Sequence, residues 1–257
     1  MRADKALKRT EQVLNDQPDG QAILRHLTAA AKNRRQFRRW LAQATLNRPL
    51  SYILGNQPFA GLNLRSDCRA LIPRPETEQL FELIVSLTSQ PPRTIIDLGT
   101  GGGALALALK NHFPDWPVIA SDISRAALNL ARRNAKNNRL AITFIKSDLW
   151  VDIPRQPFDL IVANLPYLPT AEIATLERRI KDFEPHLALD GGADGLAIIG
   201  RMLAGAKDYL TPDGQIFLEI HPTHQPKVEK LVKKFLPART VKFLPDLTGR
   251  TRFAIIN

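Results

Sequence analysis

Along residues 1–48 apolar side chains recur at helical spacings: Ala6, Leu7, Val13 and Leu14, then Ile23, Leu24 and Leu27, then Phe37, Trp40, Leu41 and Ala44. Nothing there alternates as a strand would. The period predicts a small helical domain of two to four helices, with Gln17-Pro18-Asp19-Gly20 breaking the first two. Residues 49–73 mix short apolar pieces with Gly, Asn and Pro. They predict a β-hairpin linker, with Leu62, Leu64 and the run Ala70-Leu71-Ile72 as strand material. From residue 74 to 257 the pattern predicts strands at 94–98, 118–123, 142–145, 158–163, 215–220, 240–244 and 252–256. Helices are expected at 75–85, 104–110, 126–137, 171–181, 196–210 and 225–235, and 183–195 reads as a Gly/Asp-rich loop. Strands and helices in this order make an open α/β sheet.

The stretch that organises the rest is TIIDLGTGGGALALALK, residues 94–110. A buried strand runs into Gly99, Thr100, Gly101, Gly102 and Gly103, and strong helix formers follow. Glycines permit a tight turn and let a ligand approach the backbone, while the helix start offers unpaired N–H groups. Strand, glycine turn and helix form a nucleotide-binding βα unit. Gly99, Gly101 and Ala104 satisfy a G-x-G-x-x-G/A dinucleotide pattern, which is weak by itself. Asp97, in the strand just before the turn, shifts the balance. A carboxylate is unfavourable beside a pyrophosphate but suits a cationic sulfonium amino acid. S-adenosylmethionine (AdoMet) is therefore favoured over NAD, with a ligand-free glycine turn as the remaining alternative.

Asp122 ends the next strand, roughly 20 residues past the glycines, where a carboxylate accepts hydrogen bonds from ribose hydroxyls. Its structural alternative is an N-cap for the following helix, a task that Ser124 could also perform. Asp148 and Leu149 follow the third strand and are candidates for the adenine, because ligands of open α/β sheets sit at the carboxyl ends of strands. The fourth strand runs directly into Asn164-Leu165-Pro166-Tyr167. The Asn164 side-chain oxygen and the Leu165 backbone carbonyl can both accept hydrogen bonds from one planar –NH2 group. That would aim its nitrogen at the AdoMet methyl, with Pro166 stiffening the turn and Tyr167 packing on a flat substrate. The acceptor implied is an amide or an exocyclic amine.

Other features bound the answer. Pro75 suits a first helical turn, and Glu76 and Glu78 suit its positive end; alternatively, this Pro-flanked loop lines the cofactor pocket. Of the 257 residues 44% are hydrophobic and 24% charged, ordinary values for a soluble protein. No apolar run approaches the roughly 20 residues of a membrane span, and MRADKALKRTEQ lacks a signal-peptide core. The single cysteine, Cys68, excludes an internal disulfide and a cysteine zinc site. His221 and His224 read as polar loop residues, with no third metal ligand at suitable spacing. A cytoplasmic protein is expected.

The net charge is +11, and residues 1–48 carry eleven Lys/Arg against four Asp/Glu. Such asymmetry suits either an acidic or nucleic-acid-rich partner or a solvated basic surface. Arg34, Arg35, Arg38 and Arg39 around Phe37 and Trp40 read as a basic outer face over a buried aromatic pair.

The chain resembles the glutamine methyltransferases that modify peptide chain release factors, the HemK/PrmC family. The matching stretches are RPLSYILGNQPFAGLNL, LIPRPETE, IIDLGTGGGALALAL, SDIS, SDL, NLPY, FEPHLALDGGADGL, GQIFLEI and DLTGRTRF, in the family's order over about residues 48–257. The resemblance implies a helical substrate-docking domain at 1–48, a hairpin linker at 49–73 and a seven-stranded class I methyltransferase domain at 74–257. It implies AdoMet held by the glycine turn, Asp122 and the segment after strand three, with S-adenosylhomocysteine as product. It also implies a glutamine substrate, from the GGQ loop of release factors, held at Asn164 to Tyr167. Leu165 stands where the family usually has a proline, and N-L-P-Y also occurs in rRNA adenine dimethyltransferases. An RNA or DNA adenine amine is therefore the alternative acceptor. No metal is expected, and the enzyme is expected to act as a monomer.

Overall fold

A computed structural model describes residues 2–15, 19–88 and 94–257. Helices α1 (Arg2–Asn15), α2 (Gly20–Ala30), α3 (Arg34–Ala44) and α4 (Leu50–Leu54) come first. Asn33 starts α3 by accepting the Gln36 N–H. These helices enclose a core of their own, made by Leu14, Leu27, Trp40, Leu41, Ala44 and Ile53. Arg34, Arg35, Arg38 and Arg39 are exposed around half-buried Phe37 and buried Trp40, as the sequence pattern implies. Gln17, Pro18 and the side chains of Ala6 and Leu7 lie outside the described residues.

A hairpin follows, with β1 (Asn56–Phe59) paired to β2 (Leu62–Arg65). Residues 70–72, expected as strand, are loop. Their backbone groups are claimed by side chains rather than by a neighbouring strand: the Tyr52 hydroxyl donates to the Ala70 carbonyl, and the Ile72 N–H donates to Glu184.

The remaining chain runs α5 (Pro75–Leu87), β3 (Ile95–Leu98), α6 (Ala104–His112), β4 (Val118–Asp122), α7 (Arg125–Asn138), β5 (Thr143–Lys146) and β6 (Phe158–Ala163). It continues with α8 (Thr170–Ile173), α9 (Arg178–Lys181), α10 (Ala197–Ala206), β7 (Leu210–Glu219), α11 (Gln225–Phe235), β8 (Val241–Pro245) and β9 (Thr251–Ile256). The seven-stranded sheet has the order β5-β4-β3-β6-β7-β9-β8. Every pairing is parallel except those of β9, which runs antiparallel to both its neighbours. This inserted strand departs from the all-parallel 3-2-1-4-5-6 dinucleotide sheet.

The central strands β3 and β6 are buried on both faces, which is why they read as apolar runs interrupted only by Asp97 and Asp159. Ile95, Leu160, Val162 and Phe217 pack beneath α5 and α6, against Leu80, Ile84, Leu105 and Leu109. Ile96, Leu98, Ile161, Ile216 and Leu218 face α10 and α11, against Ile199, Met202, Leu203, Val228 and Val232. The polar helix expected over 171–181 is instead two single turns, α8 and α9. Between them the Thr175 hydroxyl bonds the Glu172 carbonyl, an alternative to helix propagation. Strand β7 begins earlier than expected, taking in Thr211 to Gly214, with a register shift opposite Phe158 and Leu160.

Candidate active site

The strand order reverses at β3, between β4 and β6, and ligands of open α/β sheets bind outside the carboxyl ends of the strands there. The structure has a cleft at that place. Asp97, Gly99, Thr100, Gly101, Gly102, Asp122, Asp148, Leu149, Asn164, Leu165 and Pro166 all line it. Two of the sequence candidates stand outside. Gly103, at φ +88°, turns the chain into α6, where a Cβ would crowd Leu107 and Ala131, and Tyr167 directs its hydroxyl to Glu219.

Asp97 is 1% exposed. Its Oδ2 accepts from the Thr100 hydroxyl at 2.6 Å and the Ala106 N–H at 3.2 Å, so the carboxylate clasps the turn to the helix it opens. Burial pushes its pKa up to about 7, with the Asp122 charge adding to the rise. Asp122 accepts the Gly101 N–H on one oxygen and the Ser124 N–H on the other, both at 2.8 Å. Ser124 is the cap of α7 and accepts the Ala127 N–H, so Asp122 is spared that task. Each of its oxygens keeps a further lone pair for a ligand hydroxyl. Burial raises the Asp122 pKa, and the two backbone bonds oppose the rise.

After β5, Leu149 adopts φ +52°, a left-handed conformation rare for a bulky residue. The Ser147 hydroxyl holds it by donating to the Leu149 carbonyl at 2.7 Å and accepting the Asp152 N–H. Strain of this kind gathers at ligand sites. Asp148 pairs with Arg201 from α10 at 2.8 Å.

At the end of β6 the Asn164 Nδ2 donates to the Thr77 hydroxyl at 2.8 Å. Thr77 donates in turn to Glu219 Oε2 at 2.9 Å, and the Tyr167 hydroxyl donates to Glu219 Oε1 at 2.9 Å. Tyr167 is thus bound to a buried carboxylate at its polar end. The glycine-rich loop packs directly behind this turn. A Cβ at Gly195, whose φ is +76°, would stand 2.2 Å from the Tyr167 carbonyl oxygen.

Several residues that shape the cleft escaped the sequence reading. Thr77 sits between Glu76 and Glu78, which drew attention as helix-start acids; Glu78 in fact accepts the Ala60 N–H of the hairpin. Glu184 is buried, accepts from Ile72 N–H, and pairs with Arg74. It thereby joins two loops that line the cleft, one through Ala70, Leu71 and Pro73 and the other through Pro185, Leu187 and Ala188. Asn134 of α7 accepts the Arg65 N–H at 2.7 Å and donates to the Gly102 carbonyl at 2.9 Å, tying hairpin to glycine turn. The signal available for Thr77 and Glu184 was their place inside LIPRPETE and FEPHLALDGGADGL. His224 is buried at the start of α11, not a polar loop residue, and its Nδ1 has no partner among the described residues. No metal-ligand cluster occurs among the described residues.

Residues 79–193 match the family model of the methyltransferase small domain. The ribosomal protein L11 methylase of Lactobacillus delbrueckii subsp. bulgaricus is similar in structure, with a TM-score of 0.55 and 25% identity over 72% of this chain and 80% of that one. Fold and cleft define a Rossmann-like, class I methyltransferase. The release factor glutamine methyltransferase of Streptococcus pneumoniae (strain ATCC BAA-255 / R6) is 43% identical over 215 residues, which are 84% of this chain and 77% of that protein. Its counterpart in Deinococcus radiodurans is 42% identical over 207 residues, 80% and 73% of the two chains. The chain belongs to the release factor glutamine methyltransferase family.

Proposed function

We propose that this enzyme transfers the methyl group of AdoMet to the side-chain amide nitrogen of the glutamine in the GGQ loop of peptide chain release factors. Asn164 carries the reading. It stands at the carboxyl end of a central strand, inside the cleft, with its Nδ2 already bonded to Thr77. Its Oδ1 is thereby left to accept from a planar –NH2 group, together with the Leu165 carbonyl. The glycine turn, Asp97 and Asp122 would hold the amino acid and ribose of AdoMet, and Asp148 and Leu149 its adenine.

AdoMet supplies an already activated methyl sulfonium. On transfer the nitrogen–carbon bond would form as the carbon–sulfur bond breaks, S-adenosylhomocysteine would leave, and the proton of the nitrogen would pass to solvent. An amide nitrogen is a poor nucleophile, so the chain's part is alignment and acceptors that strengthen as the nitrogen gains positive charge. Replacing the family's proline by Leu165 keeps the carbonyl. No helix among the described residues is long and apolar enough to cross a membrane, and a release-factor substrate would put the enzyme in the cytoplasm.

The test incubates purified protein and labelled AdoMet with a release factor, with its GGQ→GGA variant, and with bulk rRNA. Label is expected in the intact factor and absent from the variant. Label confined to RNA would refute the proposal in favour of the adenine amine. Asn164→Ala should abolish transfer while AdoMet still binds.

A further inference from the structure

We propose that Glu219, acting through Thr77, is the positioning residue that fixes which way round the Asn164 amide faces the cleft. The inference rests on the methylation reading of the cleft given above.

An asparagine amide has two nearly equal ends, and its orientation is decided by the partners around it. Only one orientation serves here. The glutamine –NH2 to be methylated is a donor, so Asn164 must present its oxygen to it. Reversed, the Asn164 –NH2 would face the substrate –NH2, two donors with nothing between them to accept.

The partner of Asn164 is the Thr77 hydroxyl, which could itself accept or donate. Its single proton decides which. Glu219 is 1% exposed and stands 2.9 Å from Thr77 Oγ1. Ionised, it can only accept. Thr77 therefore spends its proton on Glu219 Oε2 and offers Asn164 a lone pair, at 2.8 Å from Nδ2. The Tyr167 hydroxyl occupies Oε1, so the carboxylate is gripped from both sides and cannot turn away. Burial pushes the Glu219 pKa up, while its two hydroxyl bonds and the Arg252 charge pull it back. The sense of the hydrogen bonds thus passes from Glu219 through Thr77 to the amide. Thr77 lies on α5 and Glu219 on β7, two elements packed against each other beside the β6 turn that bears Asn164.

Methyl transfer to a release factor is measured for wild type, Thr77→Val, Thr77→Ser and Glu219→Gln, with AdoMet affinity by calorimetry and melting curves beside it. Valine keeps the shape of threonine without its hydroxyl. Glutamine keeps the shape of glutamate but can donate to Thr77, which removes the fixed sense. Both variants should lose about tenfold or more in kcat, the effect of one misdirected hydrogen bond to the reacting group. KM for the release factor and AdoMet affinity should stay within about threefold, and Thr77→Ser should recover most of the lost rate.

Unchanged kcat in Thr77→Val and Glu219→Gln would overturn the assignment and leave the glutamine reading standing. Loss of AdoMet binding and of melting temperature in all three variants would also overturn it, showing a network that only holds the fold. A wild-type enzyme that labels no release factor would remove the reading of function, and this inference with it.

Discussion

Asp97→Asn isolates the charge that was read as a cofactor discriminator. Both donors to Asp97, the Thr100 hydroxyl and the Ala106 N–H, bond the same oxygen. Asparagine can therefore place its carbonyl there and keep both bonds, losing only the charge toward the cleft. A group titrating at about 7 is about nine-tenths ionised at pH 8 and about one-tenth at pH 6, so affinity for a cationic sulfonium should fall roughly tenfold between them. Stability has the opposite sense. The folded-state pKa is raised, so the folded chain holds this proton more tightly than the unfolded one between about pH 4 and 7. Without ligand, wild type should lose stability relative to Asp97→Asn as pH rises through that window, by a few kcal/mol, on the order of 1.4 kcal/mol per pKa unit. Calorimetric titration of AdoMet at pH 6, 7 and 8 measures the first effect, and urea denaturation over pH 4–8 the second. The amine of AdoMet titrates alike in both proteins, so the ratio of their affinities reports Asp97. A ratio that does not change from pH 6 to 8 would refute the charge argument.

Three further outcomes follow from geometry elsewhere in the cleft. Gly99→Ala puts a side chain at φ +72° and a Cβ 2.7 Å from Leu165 Cδ2; it should cost about 1–2 kcal/mol, read as a lower urea midpoint, and weaken AdoMet binding. Glu184→Ala strands the Ile72 N–H and frees Arg74, a loss of about 1–3 kcal/mol; limited proteolysis should then cut within residues 66–74 and AdoMet should dissociate faster. Asn134→Leu removes three hydrogen bonds, to the Arg65 N–H, the Arg65 carbonyl and the Gly102 carbonyl, and should destabilise by about 2–3 kcal/mol, with AdoMet affinity falling too because the glycine turn loses its tie.

The sheet was legible because its central strands are buried on both faces, so Ile95 to Leu98 and Phe158 to Ala163 are apolar but for Asp97 and Asp159. The glycine turn was legible because backbone geometry restricts its residue types. Elements failed where side chains replaced backbone pairing. Ala70 to Ile72 looks like a strand by composition, yet Tyr52 and Glu184 take its hydrogen bonds. Thr77 and Glu219 were hidden for a related reason. Nothing in a local window distinguishes a threonine in the first turn of a helix from one that meets a carboxylate 142 residues later. Leu149 is marked in the sequence only by its position after the third strand; its φ of +52° leaves no trace there.

The insertion of β9 between β7 and β8 also has a meaning in time. Chains fold from the N-terminus as they are synthesised, and contacts of large sequence separation form slowly. Strands β3 to β6, with the glycine turn, Asp122 and Leu149, are complete before β7 is made. One edge of β7 stays open until β9, the last strand made, pairs with it. A nascent chain therefore contains every residue that lines the cleft before it contains the carboxylate of Glu219. Thr77 and Tyr167 wait through that interval for the carboxylate that binds them both.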